Sequence, residues 1–214
     1  MRSRALRGLV AWAMPQSVLF VRGARTSGRK RVALTFDDGP DAMTPRYLDL
    51  LDRLHVRATF FLVGENAACV PDLVAEYARR GHEVGGHGWS HRPFDAMTGS
   101  QLTGELVRTR RVLPAPSSGR PLVRPPRGAL STSALLRIAA AGCTTVLWSV
   151  DSDDCRVADP RAVEQRLAPE CLSSGDVVLL HETQGWTLEA VPGVVDALRR
   201  QGWELVTVSE LMGA

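Results

Sequence analysis

Apolar residues along the chain fall into two alternating patterns, short continuous runs and longer segments with a helical repeat. The short runs end at glycine, proline or charged residues, which is typical of buried strands. They predict strands at 31–37, 58–64, 82–87, 121–125, 144–151, 176–182 and 203–208. The longer segments, in which apolar residues recur every three to four positions, predict helices at 44–55, 66–80, 100–113, 131–141, 160–171 and 187–201.

The order of these elements indicates the fold class. Strands that alternate with helices favour an α/β protein with a parallel sheet and helical crossovers. Gly81, Gly142 and Gly202 directly follow three of the predicted helices, where glycine commonly terminates a helix. About seven parallel strands favour a distorted (β/α) barrel over a small open sheet. In such barrels the functional residues collect at the carboxyl ends of the strands.

Composition favours a single globular domain. The chain has 214 residues, of which 44% are hydrophobic, and it contains no repeat or low-complexity tract. The net charge of +3 is unevenly distributed, because residues 1–31 contain eight basic residues and no acidic one. The remainder has 18 basic and 23 acidic residues, so the charge does not predict a nucleic acid partner. The four cysteines contain no CxxC pair, which argues against a zinc ribbon and a dithiol redox site.

Residues 1–29 form a basic and apolar N-terminal arm, and we predict the main domain at 30–214. The apolar part of the arm, from Leu9 to Val21, is interrupted by a proline and two polar residues and is too short to span a bilayer. Three interpretations remain: an export signal, a segment that contacts the membrane surface, or a segment packed on the domain, which we favour. We expect a cell-envelope or secreted protein if the arm directs export, and a cytoplasmic protein otherwise.

Polar residues suited to catalysis or metal binding follow five of the predicted strands. They are Asp37, Asp38, His87, His91, Arg124, Asp154 and His181. Two adjacent carboxylates at the end of a buried strand are unfavourable unless a cation, water or a hydrogen-bond network receives them. Two histidines four residues apart could complete a three-ligand metal site, although an isolated pair with this spacing is more often a surface or capping pair. The agreement of five strand ends favours the metal site.

The sequence resembles polysaccharide deacetylases with a NodB homology domain, carbohydrate esterase family 4, over about residues 30–212. Five motifs carry the resemblance: TFDDGP at 35–40, GHEVGGHGWSH at 81–91, RPPRG at 124–128, DSDDC at 151–155 and LLH at 179–181. The resemblance implies a distorted (β/α) barrel of the NodB type. It also implies hydrolysis of N-acetyl groups on an acetylated glycan, such as peptidoglycan or a chitin-like oligosaccharide. We expect the enzyme to be a monomer, with possible membrane contact only through the arm.

The same resemblance implies one divalent metal ion, most often zinc, with cobalt or nickel as alternatives. Asp38, His87 and His91 would be the metal ligands, and Asp37 would be the general base. Arg124 would keep Asp37 ionised by charge pairing.

The remaining family roles concern the leaving group and the acetyl pocket. His181 would be the general acid, and Asp154 would orient it and favour its protonated form. Trp148 and Leu179 would form an apolar wall for the acetyl methyl group, although ordinary core packing explains these two residues equally well.

Three residues depart from the family pattern. Gly88 replaces a serine or threonine, so we expect a looser metal-binding loop. Arg127 replaces an aromatic residue in the third motif. Its backbone N–H is still available to an oxyanion, and its side chain is a candidate for binding an anionic group of the substrate, unless it faces solvent or pairs with Asp153 or Glu182. Cys155 replaces a tryptophan and places a thiol near the expected metal site; it could be a ligand, but we favour a buried thiol without a role.

Two other functions remain open. One is an O-acetyl esterase with the same machinery, and the other is a glycan-binding protein without catalysis. A binding protein would not need Asp37, Arg124 and His181, which disfavours the second alternative. A metal-independent hydrolase of cyclic amides would be expected to lack the three metal ligands.

Overall fold

A parallel β-sheet curls into a distorted barrel in the computed structural model, which describes residues 14–24, 28–116 and 119–213. Its strands are β1 Leu19–Phe20, β2 Lys30–Asp37, β3 Thr59–Leu62, β4 Glu83–Gly86, β5 Leu122–Val123, β6 Thr144–Val146, β7 Val150–Asp151, β8 Asp176–His181 and β9 Trp203–Val206. Their order across the sheet is β1-β6-β5-β4-β3-β2-β8-β7, and β9 pairs with the first half of β2. All ladders between these strands are parallel, which confirms the predicted fold class.

The six predicted helices are confirmed, with changes at their ends. The helices are α1 Thr44–Arg53, α2 Gly64–Cys69, α3 Pro71–Arg79, α4 Gly99–Val112, α5 Thr132–Ala140, α6 Pro160–Arg166, α7 Gly185–Arg200 and α8 Val208–Met212. The segment 66–80 is divided into α2 and α3, because the Pro71 ring is compatible only with the start of a helix. The three glycines expected at helix ends have positive φ angles, between 75° and 79°. Among the described helices, none has the length and apolar composition needed to cross a bilayer.

Three features of the fold were not predicted. The two-residue strand β1 is too short to show a periodic pattern, and it exists because it pairs with β6. The segment 144–151 forms two strands instead of one. The first, β6, pairs with β1, and the second, β7, pairs with β8 at the other end of the strand order. Helix α8 was missed although its capping box, the TVSE sequence at 207–210, is visible in the sequence.

Side chains of the central strand β2 alternate between two environments. The face covered by helices carries Val32, Leu34 and Phe36, which belong to the largest apolar cluster. Because side chains alternate along a strand, the opposite face carries Ala33, Thr35 and Asp37. Ala33 packs with other apolar residues in the barrel interior. Along β2 the interior face therefore changes from apolar at Ala33 to charged at Asp37, the carboxyl end of the strand.

The described part of the N-terminal arm packs against the barrel. Arg22 pairs with Asp176 through an antiparallel backbone bridge, and its Nη2 lies 2.5 Å from Asp176 Oδ1. The side chain of Asp176 is only 1% exposed, and it also accepts hydrogen bonds from Ser149 Oγ and the backbone N–H of Ser173. Arg22 therefore supplies the counter-ion of a buried carboxylate and joins the arm to β8. Residues 1–13, which include the first five residues of the apolar part of the arm, lie outside the described residues.

Replacing Arg22 with glutamine is expected to lower the free energy of unfolding by about 1–3 kcal/mol, because Asp176 would remain buried without its counter-ion. Arg200→Gln is a matched control, since the ion pair of Arg200 with Asp196 joins two side chains that are 67% exposed. The control should change the free energy by less than about 0.5 kcal/mol. Urea denaturation followed by circular dichroism measures both values, and equal effects would contradict the proposed importance of Arg22.

Candidate metal and catalytic site

The side chains that sequence motifs singled out converge at the carboxyl end of the barrel. Asp37 is the last residue of β2 and lies in register with His181, the last residue of β8. His87 directly follows β4, and Arg124 directly follows β5. Parallel strands bring these ends to one side of the barrel. Residues that are up to 144 positions apart in the chain, such as Asp37 and His181, thereby become neighbours.

Asp38, His87 and His91 form a cluster whose potential ligand atoms all lie within 4.8 Å of one another. Asp38 Oδ1 is 3.5 Å from His87 Nε2 and 3.1 Å from His91 Nε2. Asp38 and His91 hold left-handed backbone conformations, with φ angles of 77° and 55°. Such conformations cost on the order of 1–3 kcal/mol for residues other than glycine, and they concentrate at functional sites.

The hydrogen bonds of this cluster fit a bound cation. His87 Nδ1 donates to the carbonyl oxygen of Arg124 at 2.8 Å, so the neutral ring keeps a lone pair on Nε2. That lone pair faces Asp38 Oδ1, a buried acceptor with no aligned hydrogen bond to any described residue. Burial lowers the pKa of His87 by more than the charges of Asp37 and Asp38 raise it, which favours the neutral, metal-binding form. Two imidazoles and one carboxylate are a common zinc ligand set.

Asp37 and Arg124 form a buried ion pair beside this cluster. Arg124 Nη1 lies 2.7 Å from Asp37 Oδ1, and the two side chains are 0% and 4% exposed. Arg124 also donates to Thr35 Oγ1 at 2.7 Å, and its guanidinium lies over the ring of Phe61. The second carboxylate oxygen, Asp37 Oδ2, is 3.7 Å from His87 Nε2. One oxygen of Asp37 is thus held by the arginine, while the other faces the metal-binding cluster.

His181 and Asp154 form a second charged pair. His181 Nδ1 lies 2.7 Å from Asp154 Oδ1, and Asp154 Oδ2 accepts from the His181 backbone N–H and from Thr187 Oγ1. Burial alone would lower the pKa of His181. The hydrogen bond and charge of Asp154, together with the charges of Asp37 and Asp38, outweigh burial and raise this pKa to about 9. The imidazolium form, which a general acid needs, is therefore favoured at neutral pH.

Glu105 supports the loop 87–91, although no sequence pattern indicated a role for it. Its Oε2 accepts hydrogen bonds from the backbone N–H groups of Trp89 and Ser90, at 2.7 and 2.9 Å. Its Oε1 accepts from Ser90 Oγ at 2.9 Å. A glutamate within a helix has no local signature for such a role. The contact depends entirely on the packing of α4 against the loop.

The same loop contains Gly88, which stands where the family pattern has a hydroxyl side chain. Gly88 has a φ angle of 78°, a conformation that side chains other than glycine rarely adopt. The carbonyl oxygens of Gly88 and Trp89 accept hydrogen bonds from the backbone N–H groups of Gly64 and Glu65. Together with Glu105, these bonds hold the loop from two sides without the missing hydroxyl.

The two residues predicted to line the acetyl pocket lie on or beside the interior face. Leu179 is 4% exposed and lies on the same face of β8 as His181. Trp148 is half-buried, and its ring lies 5.7 Å from the guanidinium of Arg124. Trp148 also packs against apolar residues of the core. These positions are compatible with an apolar wall and with core packing alike.

Arg127 lies in a short 3₁₀ turn, Pro126–Gly128, just beyond β5. It has a φ angle of 57°, and its side chain is exposed. Within the described part of the chain Arg127 makes no ion pair. Asp153 is paired with two other arginines, and Glu182 is fully buried, so neither acid considered in the sequence analysis neutralises Arg127.

The prediction that Cys155 is buried is wrong, because the structure shows its side chain exposed. The preceding residue, Asp154, turns inward to bind His181, and the next side chain therefore faces outward. Cys155, Asp154 and His181 form a second group whose potential ligand atoms lie within 4.8 Å of one another.

Comparison with known proteins identifies similar sequences and structures. The family model for polysaccharide deacetylases matches residues 24–146. A peptidoglycan-N-acetylglucosamine deacetylase from Listeria monocytogenes is 32% identical over 202 residues, which cover 94% of this chain and 42% of the relative. The chain thus spans less than half the length of that relative. A protein of the same function from Bacillus cereus is 32% identical over 211 residues, which cover 96% of this chain and 93% of the relative.

Solved structures show the same similarity. A family 4 carbohydrate esterase from Streptomyces lividans, determined in complex with acetate, superposes with a TM-score of 0.77 and 33% sequence identity. The superposition covers 82% of this chain and 91% of that structure.

NMR titration of the metal-free protein is expected to give a pKa of about 9 for His181. Asp154→Asn should lower this pKa by about one unit or more, because it removes the hydrogen-bonded anion. The pKa lies above the ordinary value of 6.5, so the interaction stabilises the fold fully below about pH 6.5 and is lost as the pH rises through about 9. The exposed His55 provides an internal reference in both spectra. An unchanged His181 titration in Asp154→Asn would contradict this assignment.

Proposed function

Because this chain belongs to the polysaccharide deacetylase family, we propose that it removes N-acetyl groups from amino sugars of a glycan with the help of a divalent metal ion. One observation carries the proposal: the cluster of Asp38, His87 and His91 lies at the same barrel end as a buried carboxylate and a charged imidazole. A protein that only binds glycans has no need for this combination of proton acceptor and proton donor.

Asp38, His87 and His91 would hold the metal ion, and zinc fits this donor set best, with cobalt or nickel as alternatives. A divalent ion in such a site lowers the pKa of water and polarises the acetyl carbonyl group. The loop contacts from Glu105 keep the imidazole ligands in place before the ion arrives.

Asp37 would act as the general base. Its Oδ1 is bound to Arg124, which fixes the orientation of the carboxylate and leaves Oδ2 directed towards the ligand cluster. Oδ2 takes one proton from the attacking water, whose oxygen forms the new bond to the acetyl carbon. Arg124 would thus position the base without contacting the substrate.

His181 would act as the general acid. Asp154 occupies its Nδ1, so Nε2 is the nitrogen that donates a proton to the sugar nitrogen as the C–N bond breaks. The products are acetate and a free amine. Protonation matters because an unprotonated amide nitrogen is a poor leaving group, whereas the alkoxide leaving group of an O-acetyl ester depends on it less.

We further propose that peptidoglycan, rather than neutral chitin, is the preferred glycan. The relatives from Listeria monocytogenes and Bacillus cereus are named for activity on peptidoglycan. Arg127 supports this choice, since it is exposed and unpaired with the described acids, and peptidoglycan carries carboxylates that a guanidinium binds well. With this substrate the protein would act in the cell envelope.

Acetate release from a panel of N-acetylated and O-acetylated glycans tests the function. The wild-type protein should release acetate from N-acetylated substrates and lose this activity when a chelator is added. Asp37→Asn should keep the metal and lose about 10²-fold or more in turnover, whereas Asp38→Asn should also bind the metal more weakly. Release from O-acetylated glycans alone would indicate an esterase, and no release from any substrate would indicate a binding protein. Equal metal loss in both variants would contradict the separate roles of the two aspartates.

Arg127→Tyr should change the ratio of activities on peptidoglycan fragments and neutral chito-oligosaccharides by about tenfold in favour of the neutral substrate, because it removes a charge-assisted hydrogen bond. The preference of the wild-type protein for the anionic substrate should weaken as salt is added. Arg161→Tyr, at an exposed position on α6, is the matched control. If both variants keep the wild-type ratio, Arg127 does not select the substrate.

A further inference from the structure

A carboxylate, a thiol and an imidazole lie close together at Asp154, Cys155 and His181, the last of which is the proposed general acid. Their potential ligand atoms lie within 4.8 Å of one another. These three groups are the ligand types that zinc and cadmium prefer. The group is separate from the cluster around Asp38. It includes a thiol because Cys155 occupies a position at which the polysaccharide deacetylase family usually has a tryptophan.

The ligand atoms of this group become available to an ion when the protons on His181 and Cys155 are displaced. Asp154 Oδ1 accepts one hydrogen bond, from His181 Nδ1, so this oxygen has a second lone pair. His181 Nδ1 and Asp154 Oδ1 are 2.7 Å apart, whereas Nε2 lies on the opposite side of the ring, so an ion shared with Asp154 would replace the proton on Nδ1. The side chain of Cys155 is exposed, so an ion can reach its Sγ from solvent.

The charges around Cys155 favour a cation over an oxidant as the reacting species. Although its side chain is exposed, Cys155 is partly enclosed by its neighbours, and this partial burial, followed by the charges of Asp154, Asp151 and Asp153, raises the pKa of its thiol against the opposing charge of Arg156. A thiol with a raised pKa is a poor nucleophile, which argues against a redox sensor. The same negative charges attract a cation, and a thiolate-seeking metal displaces the thiol proton when it binds.

We propose that Cys155, His181 and Asp154 form a second, inhibitory site for a thiolate-seeking divalent cation such as zinc or cadmium. Binding releases the thiol proton of Cys155 and the Nδ1 proton of His181, so the imidazole becomes neutral and its remaining Nε2 proton is too weakly acidic to protonate the leaving amine. The inhibitory part of this inference rests on the proposed function, whereas cation binding does not. Because two protons leave on binding, inhibition strengthens as the pH rises.

The test uses the full chain loaded with one equivalent of zinc and titrated with cadmium. Two quantities are followed, acetate release and the ultraviolet absorption of a cadmium–thiolate bond. The ligand cluster around Asp38 contains no thiol, so the absorption reports on a cysteine site alone. Cys155→Ser should keep the basal activity, lose most of the absorption and raise the half-inhibitory cadmium concentration by about tenfold or more, because serine does not supply a thiolate.

Cys171→Ser is the matched control, since Cys171 is also exposed but belongs to neither ligand group. This variant should keep the inhibition and the pH dependence of the parent protein. Equal inhibition and absorption in both variants would overturn the proposed site. Absorption that depends on Cys155 without any inhibition would refute the inhibitory role. If the parent protein releases no acetate from any substrate, the proposed function fails, while the absorption measurements still decide whether the cation site exists.

Discussion

The buried ion pair between Asp37 and Arg124 is the interaction on which the site depends. Arg124 is the largest of the fully buried side chains in the described structure, and a charge at that depth needs its partner. Its guanidinium holds one oxygen of Asp37, and its backbone carbonyl oxygen accepts the Nδ1 proton of His87. A single residue therefore orients the proposed base and selects the tautomer of a proposed metal ligand. The rest of the barrel end is arranged around this residue.

Two neighbouring strand ends carry a proposed proton acceptor and a proposed proton donor. Asp37 and His181 lie in register on β2 and β8, yet the first is paired with a cation and the second with an anion. Arg124 holds one oxygen of Asp37, and the hydrogen bond and charge of Asp154 raise the pKa of His181, which favours the charged imidazole. The two environments keep a proton acceptor and a proton donor side by side, as hydrolysis of an amide requires.

The departures from the family pattern leave the buried charge network of the site intact. Gly88 removes a hydroxyl, but Glu105 supports the metal-binding loop from a neighbouring helix. Arg127 adds an exposed positive charge near the end of β5. Cys155 adds an exposed thiol next to the proposed general acid. The exposed residues Arg127 and Cys155 take no part in the buried charge network. Substitutions at these two positions can therefore alter substrate choice or regulation without disturbing that network.

The sequence alone determined the fold class, the principal strands and helices, and the set of polar residues that meet at the barrel end. This was possible because side-chain periodicity is a local property and because parallel strands bring their carboxyl ends together. Only the tertiary structure decided that β1 joins the sheet, that Glu105 supports the loop, that Cys155 is exposed and that Arg127 has no paired acid among the described residues. Each of these features depends on contacts between segments far apart in the chain, and such contacts leave no periodic signal in the sequence.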